Sequence, residues 1–509
     1  MGLRLRHRSA RPARPLSRPV SLSPADLSAV QAEQGPVHMH VGGVLVLGGR
    51  VSEATVVRRI AERIHLIPHY RMRLVPSAPG GLLNPVWEDD PAFDPARHVR
   101  TVPWPDPGGD AELGRVMGAE MSERLDRSRP LWEIVVVDDA SRGRTALIVK
   151  MHHALVDGIA AIGVGTIIFD PTPEPLDLPP PSGPPEQQQR VWLEELTRLM
   201  PQLPAARRLE MVEPLMRRVP PELVPDRRAL QRMAAAQFDV PRRLARSAVE
   251  RARRLDPRQA HRRVAEGVEL VRDLARVRPA APATRLNAEI GPDRLFALGR
   301  ARLDDVKRVR AATGATVNDI LLTAVALTLG EYLGEDAPET VVALVPVSVR
   351  SDAHQGELGN RISTVFVDLP LSGPPLGRLA AISHAMRDVK SSAQVRAGAL
   401  IVGAAGLAPP LVSGLAARAM GAPRIFNLVV SNVPGPQQTF YLDGVPLLEV
   451  YPAVPLNPRN QALAVGILSY DGGVYFGLLA DRAALPDVAD AAYGLEGAVA
   501  RLAGSVASS

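Results

Sequence analysis

The peptide Lys150 to Gly165, KMHHALVDGIAAIGVG, holds the residues best suited to chemistry. It reads HHxxxDG, through His152, His153, Asp157 and Gly158. A His held at a strand end in a cleft can take a proton from an alcohol and later return it to a leaving group, because its pKa lies near working pH. Asp157 can fix the turn by accepting hydrogen bonds or pairing with an Arg, and Gly158 lets the backbone bend sharply or approach a ligand. One isolated His at such a place is more often a satisfied structural residue than a catalytic one; the full pattern reverses that balance. His and Asp four apart could also share a metal ion. The strand-to-turn context is not helical, however, and the chain has neither HExxH nor cysteine, so no metal site is expected. The absence of cysteine also excludes a disulfide framework and a thiol nucleophile.

Strands and helices must position that peptide. Val37 to Val51 alternates and then runs apolar between Gly breaks, which predicts a strand. A helix is expected over Glu53 to Ile67, where Val56, Ile60 and Ile64 recur at spacing four, and another over residues 110 to 126. Leu131 to Asp138 and Thr145 to Met151 read as strands, the second feeding the two histidines. The stretch LDLPPPSGPPEQQQ, Leu176 to Gln189, is dense in proline and marks a boundary. Beyond it, Val191 to Val277 reads as short Arg-rich helices joined at prolines, and RPAAPAT closes that segment at Thr284. The boundaries predicted are a basic tail over 1–19, a first lobe over 20–174, a linker and helical segment over 175–284, and a second lobe over 285–509. In the last, Phe296 to Leu303 is a strand feeding a helix, and Thr316 to Leu333 opens with capping residues and keeps an apolar face. Strands follow at Val341 to Val349, Ser363 to Leu369 and Leu428 to Ser431, then a hairpin turning at Asp471-Gly472.

The net charge of +6 is unevenly placed. Residues 201 to 280 hold 19 Arg, no Lys and 10 acidic residues, a net +9. That segment could face anionic lipid, phosphorylated ligands or nucleic acid, but its one aromatic, Phe238, makes a stacking surface for single strands improbable, and no nucleic-acid partner is expected. The uncharged run Ala397 to Ala417 reaches membrane-spanning length. Its Pro409-Pro410 centre and many small residues favour a pair of short helices over a span. The first 19 residues lack an apolar run long enough for a secretory signal.

HHxxxDG is the signature of the chloramphenicol acetyltransferase-like superfamily, which includes condensation domains of peptide synthetases and polyketide-associated acyltransferases. Other peptides narrow the resemblance. PLWEIVVVDD (Pro130 to Asp139), TVNDILL (Thr316 to Leu322), PVSVR (Pro346 to Arg350), GNRIS (Gly359 to Ser363) and SNVPGP (Ser431 to Pro436) resemble the wax ester synthase/diacylglycerol acyltransferase family. LSPADLSAVQAEQGPVHMHVGG near the start and WEDDPAFDPARHVRTVPWPDPG around residue 87 are similar to it too, so the match runs from about Leu22 to Asp481. NQALAVGILSYDG departs from the family's more polar stretch there, which bears on the acceptor pocket.

The resemblance implies an α/β (α+β) fold of two chloramphenicol acetyltransferase-like lobes forming a tunnel, with the helical Arg-rich linker between them. It implies an acyl-CoA-dependent O-acyltransferase that esterifies diacylglycerol or a long-chain fatty alcohol to triacylglycerol or wax ester. His153 would be the general base, and acyl-CoA a co-substrate with no further cofactor. Asn318, Asp319, Ser431 and Asn432 are candidates for binding substrate or the oxyanion, although Asn318 and Asp319 could equally be cap residues. Trp132 could line the acyl path or be plain core. IPHYRMRLV resembles the segment that, in condensation domains, supplies an Arg to the motif Asp; here that is Arg71, or next Arg73, opposite Asp157. The expected location is cytoplasmic, peripheral to the inner face of the cell membrane or to lipid droplets. Two other readings are a condensation-type or polyketide-associated acyltransferase and a non-catalytic lipid-droplet binding protein.

Overall fold

The computed structural model describes residues 19–77, 84–139, 143–156, 163–165, 167–175, 280–348, 362–391, 425–456 and 460–507. Side-chain caps open the first two helices. Ser23 caps α1 (Pro24–Ala32) by accepting from the Asp26 amide, and Ser52 caps α2 (Glu53–Arg63) by accepting from that of Thr55. The buried stripe of α2 is Val56, Arg59, Ile60 and Arg63, so two guanidiniums share the face that the apolar period marks as inward. Asp110–Ser122 forms α3.

Among the described residues the strands form three sheets. β1 (Val20–Ser21), β4 (Val86–Asp89) and β3 (Met72–Val75) make a small one. The first large sheet contains β2 (His40–Leu47), β5 (Val99–Pro103), β6 (Trp132–Asp139) and β7 (Arg144–His152). It also takes in two strands from far along the chain, β12 (Tyr441–Leu442) and β13 (Val445–Ala453), in the order β12-β13-β2-β7-β6-β5. The second runs β10 (Ile362–Pro370), β9 (Thr340–Ser348), β11 (Leu428–Pro434), β14 (Leu463–Tyr470), β15 (Gly473–Asp481), β8 (Arg294–Arg302). Helices α4 (Leu303–Thr313), α5 (Val317–Leu333), α6 (Pro375–Ser391) and α7 (Val488–Ala507) accompany this second sheet. α5 is buried without a break from Asp319 to Leu329, which explains why its sequence lacks a polar face.

Two turns have the same chemistry. Asp471-Gly472 joins β14 to β15 with φ of 43° and 79°, and Asp443-Gly444 joins β12 to β13 with φ of 54° and 83°. Two successive left-handed residues make the tight turn whose twist suits a hairpin. The second hairpin carries the chain back into the first sheet, where Tyr451 pairs with Val44 and Ala453 with Gly42.

At this crossing the strands come too close for side chains. A Cβ on Gly477 would lie 2.0 Å from the Pro452 carbonyl oxygen, and one on Gly466 would lie 2.7 Å from it. Gly477→Ala is therefore expected to destabilise the protein by at least about 1–3 kcal/mol, because the obstructing atom is backbone held by a sheet and cannot swing aside. Urea denaturation of the variant measures this, and an unchanged midpoint would show that β13 can move off β15.

Candidate active site

Three separate sequence motifs meet at the end of β7. His152 is its last residue, pairing with His40 of β2 on one side, and its amide donates to the carbonyl of Leu131, from the PLW peptide, on the other, at 3.0 Å. The chain then turns, with Leu155 N donating to His152 O at 2.8 Å. His153 sits within that turn and its amide donates to Met39 O at 2.7 Å. The backbone of the MHVGG peptide thus holds the candidate base directly. His153 is half-buried, whereas His152 is 1% exposed.

The two histidines consequently differ in surroundings. The His152 ring faces inward, its Nδ1 accepting the Ala154 amide at 3.0 Å and its Nε2 lying 3.5 Å from Glu33 Oε2. Glu33, buried just past the end of α1, also approaches His40 Nε2 at 3.5 Å through Oε1 and accepts from Arg127 at 2.5 Å through Oε2. Burial alone would raise the Glu33 pKa; its contacts with His152 and Arg127 outweigh that and hold the carboxyl well below the usual carboxylate range. Burial, with Lys150 nearby, pushes His40 far down, so that ring is neutral. Neither Glu33 nor His40 carries a role in the sequence reading. Both lie within LSPADLSAVQAEQGPVHMHVGG, and the alternation His38-x-His40 on a strand was a visible sign that they share a face.

The ND peptide divides its labour. Thr316 and Asp319 form a reciprocal capping box at the start of α5, Thr316 N donating to Asp319 Oδ2 at 3.0 Å and Asp319 N to Thr316 Oγ1 at 3.2 Å. The Asp319 carboxylate also accepts from Ser383 at 3.3 Å. Asn318 instead reaches the second sheet, where Asn432 Nδ2 on β11 donates to its Oδ1 at 3.2 Å. Asn318, Ser431 and Asn432 are all half-buried, and the bond between the two amides brings two of these three candidate oxyanion donors together.

Trp132 is 5% exposed; its Nε1 donates to Tyr70 O at 2.8 Å and its indole stacks on His98 with centroids 4.3 Å apart. This is a satisfied core aromatic. Arg71 donates to Asp89 at 3.4 Å and lies 5.8 Å from the Phe93 ring centroid. Asp157 and Gly158 lie outside the described residues, as do the Arg-rich segment and the run from Ala397 to Ala417. Among the described residues no cluster of His, Asp and Glu has a geometry that could hold a metal ion, and no single helix is long and apolar enough to cross a membrane. The bent pair formed by α4 and α5 passes by length and composition, but α5 is the buried core helix of its lobe.

Residues 22–321 match the wax ester synthase/diacylglycerol acyltransferase catalytic domain, and residues 358–503 match the C-terminal domain of the same family. A Mycobacterium tuberculosis protein named as a diacylglycerol O-acyltransferase is 29% identical over 494 residues, covering 94% of this chain and 95% of the relative. Another from that organism, similarly named, is 33% identical over 392 residues, 75% of this chain and 74% of the relative. The solved wax ester synthase/diacylglycerol acyltransferase of Marinobacter aquaeolei VT8 superposes with a TM-score of 0.62 at 26% identity, over 96% of this chain and 100% of that one. Motifs, fold and relatives agree: the chain belongs to the wax ester synthase/diacylglycerol acyltransferase family and is an O-acyltransferase.

Proposed function

We propose that the enzyme transfers a fatty acyl group from acyl-CoA to the hydroxyl of diacylglycerol or a long-chain alcohol, with His153 as general base. The observation that carries the assignment is the turn in which three motifs converge to hold His153 half-buried, while His152 is turned inward. His153 accepts the hydroxyl proton as the alcohol oxygen attacks the thioester carbonyl. The tetrahedral intermediate then collapses, the C–S bond breaks, and the proton passes from His153 to the departing thiolate. An ester and free CoA result, with no acyl-enzyme, as suits a chain without cysteine. Asn318 accepts through Oδ1, which leaves its Nδ2 to donate to the oxyanion, the role such groups take when they are fixed before charge develops. The reaction so written needs no cofactor.

Purified protein given acyl-CoA with diacylglycerol or with hexadecanol tests this, by chromatography of triacylglycerol and wax ester and by release of CoA thiol. Thiol release without ester would reject acyl transfer to these acceptors.

Both acceptors are insoluble in water, so the enzyme has to meet them at a lipid surface. The net +9 of residues 201 to 280 would draw the protein to anionic headgroups, each basic residue near such a surface contributing roughly 1 kcal/mol. Cosedimentation with anionic liposomes is expected to weaken steeply as salt rises from about 0.05 to 0.5 M, since the Debye length shrinks severalfold. A variant with Arg251, Arg253, Arg254, Arg262 and Arg263 all changed to Gln should bind less at low salt. Equal, salt-insensitive partitioning of both proteins would reject the electrostatic contact.

A further inference from the structure

We propose that Glu33 is a positioning residue for acyl transfer: its carboxylate keeps His152 in the Nε2–H tautomer, so that the bare Nδ1 of His152 can hold the turn that presents His153. The proposal rests on the reading of His153 as the base, and it adds a residue outside the HHxxxDG motif to the machinery.

The tautomer follows from both ends of the His152 ring. At one end the partner is the Ala154 peptide N–H, which can only donate, so the Nδ1 it meets at 3.0 Å must carry a lone pair. At the other end Nε2 lies 3.5 Å from an ionised carboxylate, which can only accept, so a proton on Nε2 is favoured there. That distance is at the long edge of hydrogen bonding, and much of the pull is electrostatic in a site shielded from water. The depressed Glu33 pKa supports a carboxylate that stays ionised. Remove it, and of the two described contacts of the ring only the Ala154 amide at Nδ1 still favours this tautomer, while nothing described holds the proton at Nε2. With the proton on Nδ1, the ring would set a donor against the Ala154 N–H, and the turn containing His153 would have to shift.

The surrounding charges fit this division. His40, also 3.5 Å from Glu33, is buried and neutral, so it adds no cation. His38 lies beside His40 with ring centroids 5.4 Å apart, and burial lowers its pKa too. Lys150 Nζ is taken by the carbonyls of Glu120 and Glu123 at 3.0 and 3.3 Å and by Glu133 at 3.3 Å. The cation balancing Glu33 is Arg127, whose side chain is 46% exposed and can turn into water if the carboxylate is removed. Glu33→Ala therefore leaves no buried charge behind, and the variant is expected to fold.

The test joins kinetics to a spectroscopic signature. Glu33→Ala should lower kcat by about ten- to a hundredfold, the scale of a misplaced catalytic group, with KM for acyl-CoA within about twofold of wild type. In protein carrying ¹⁵N-labelled histidine, the His152 signals, assigned by their loss in His152→Gln, should show Nε2–H in wild type and a shift toward Nδ1–H in Glu33→Ala. Glu33→Gln fills the same volume but can offer either amide face; it should give a mixed tautomer and an intermediate kcat, and it decides the matter if Glu33→Ala does not fold. Wild-type kcat in a variant whose tautomer has changed, or loss of kcat with the Nε2–H tautomer intact, overturns the proposal. His153→Ala is measured alongside. If that variant stays active, the base assignment fails while the tautomer result still reports on Glu33.

Discussion

His153→Ala is expected to lower kcat for ester formation by at least about a hundredfold, the lower end of what a general base contributes. The bonds that form its turn run from Leu155 N to His152 O, from His153 N to Met39 O, and from Ala154 N to the His152 ring. None of these three bonds uses the His153 imidazole, so the backbone of the turn should survive the change, and KM for acyl-CoA should change little. His152→Ala should behave differently. Its ring is 1% exposed, with Nδ1 bonded to the turn and Nε2 3.5 Å from the Glu33 carboxylate, so activity and stability should fall together. Initial rates at saturating acyl-CoA and acceptor, set beside melting curves for both variants, separate the two roles. A His153→Ala enzyme that still makes ester at near the wild-type rate would place the base elsewhere.

What could be read from the chain in advance follows how local each signal is. Thr316 and Asp471-Gly472 announce a cap and a hairpin within four residues of themselves, and each stands where the pattern predicts. The apolar runs around Val135 and Ile148 read as strands because their Val and Ile content suits a pleated, half-buried surface. Asp443-Gly444 carries the same hairpin signal, but β12 before it is only two residues long and too short to show alternation. That β13 would then pair with β2 has no local trace: Tyr451 and Val44 are brought together only by the path of the chain between the lobes. The site shows the same division. His153 is legible from its motif, and Asn318 from the ND peptide, although the sequence could not tell that Asp319 caps while Asn318 crosses to Asn432. Glu33 was invisible as a contact of His152 because a Glu after a short helix is ordinarily solvated. Arg59 and Arg63 were hidden for a related reason. The spacing of Val56, Ile60 and Ile64 defines the inward face, and arginines that fall on it look like its polar margin until their partner, far along the chain, is known.

That partner, Asp170, is the basis of the largest expected change in stability. Its carboxylate is 0% exposed; it accepts from Arg63 Nη2 through Oδ1 and lies 3.2 Å from Arg59 Nη2 through Oδ2. Arg63 also donates to Ile167 O at 2.8 Å, and burial lowers its pKa, an effect that Asp170 offsets in part. The backbone of Asp170 exchanges two 2.7 Å hydrogen bonds with Tyr441, at the start of the returning hairpin, whose Asp443 pairs with Arg58 at 2.8 Å. One residue therefore ties α2, through its carboxylate, and the strands that come back from the second lobe, through its backbone, to the segment after the histidine turn. Asp170→Ala is expected to cost about 3–5 kcal/mol, since it leaves two guanidiniums in a dry site with their main counter-charge gone. Replacing Arg63 by Met as well removes one stranded cation, so the double variant should be less destabilised than the sum of the two single changes, as for any pair in direct contact. Urea denaturation of wild type, both single variants and the double variant gives the coupling. A cost for Asp170→Ala below about 1 kcal/mol, or single effects that simply add, would mean that water reaches this cluster and that the hairpin is held by its backbone alone.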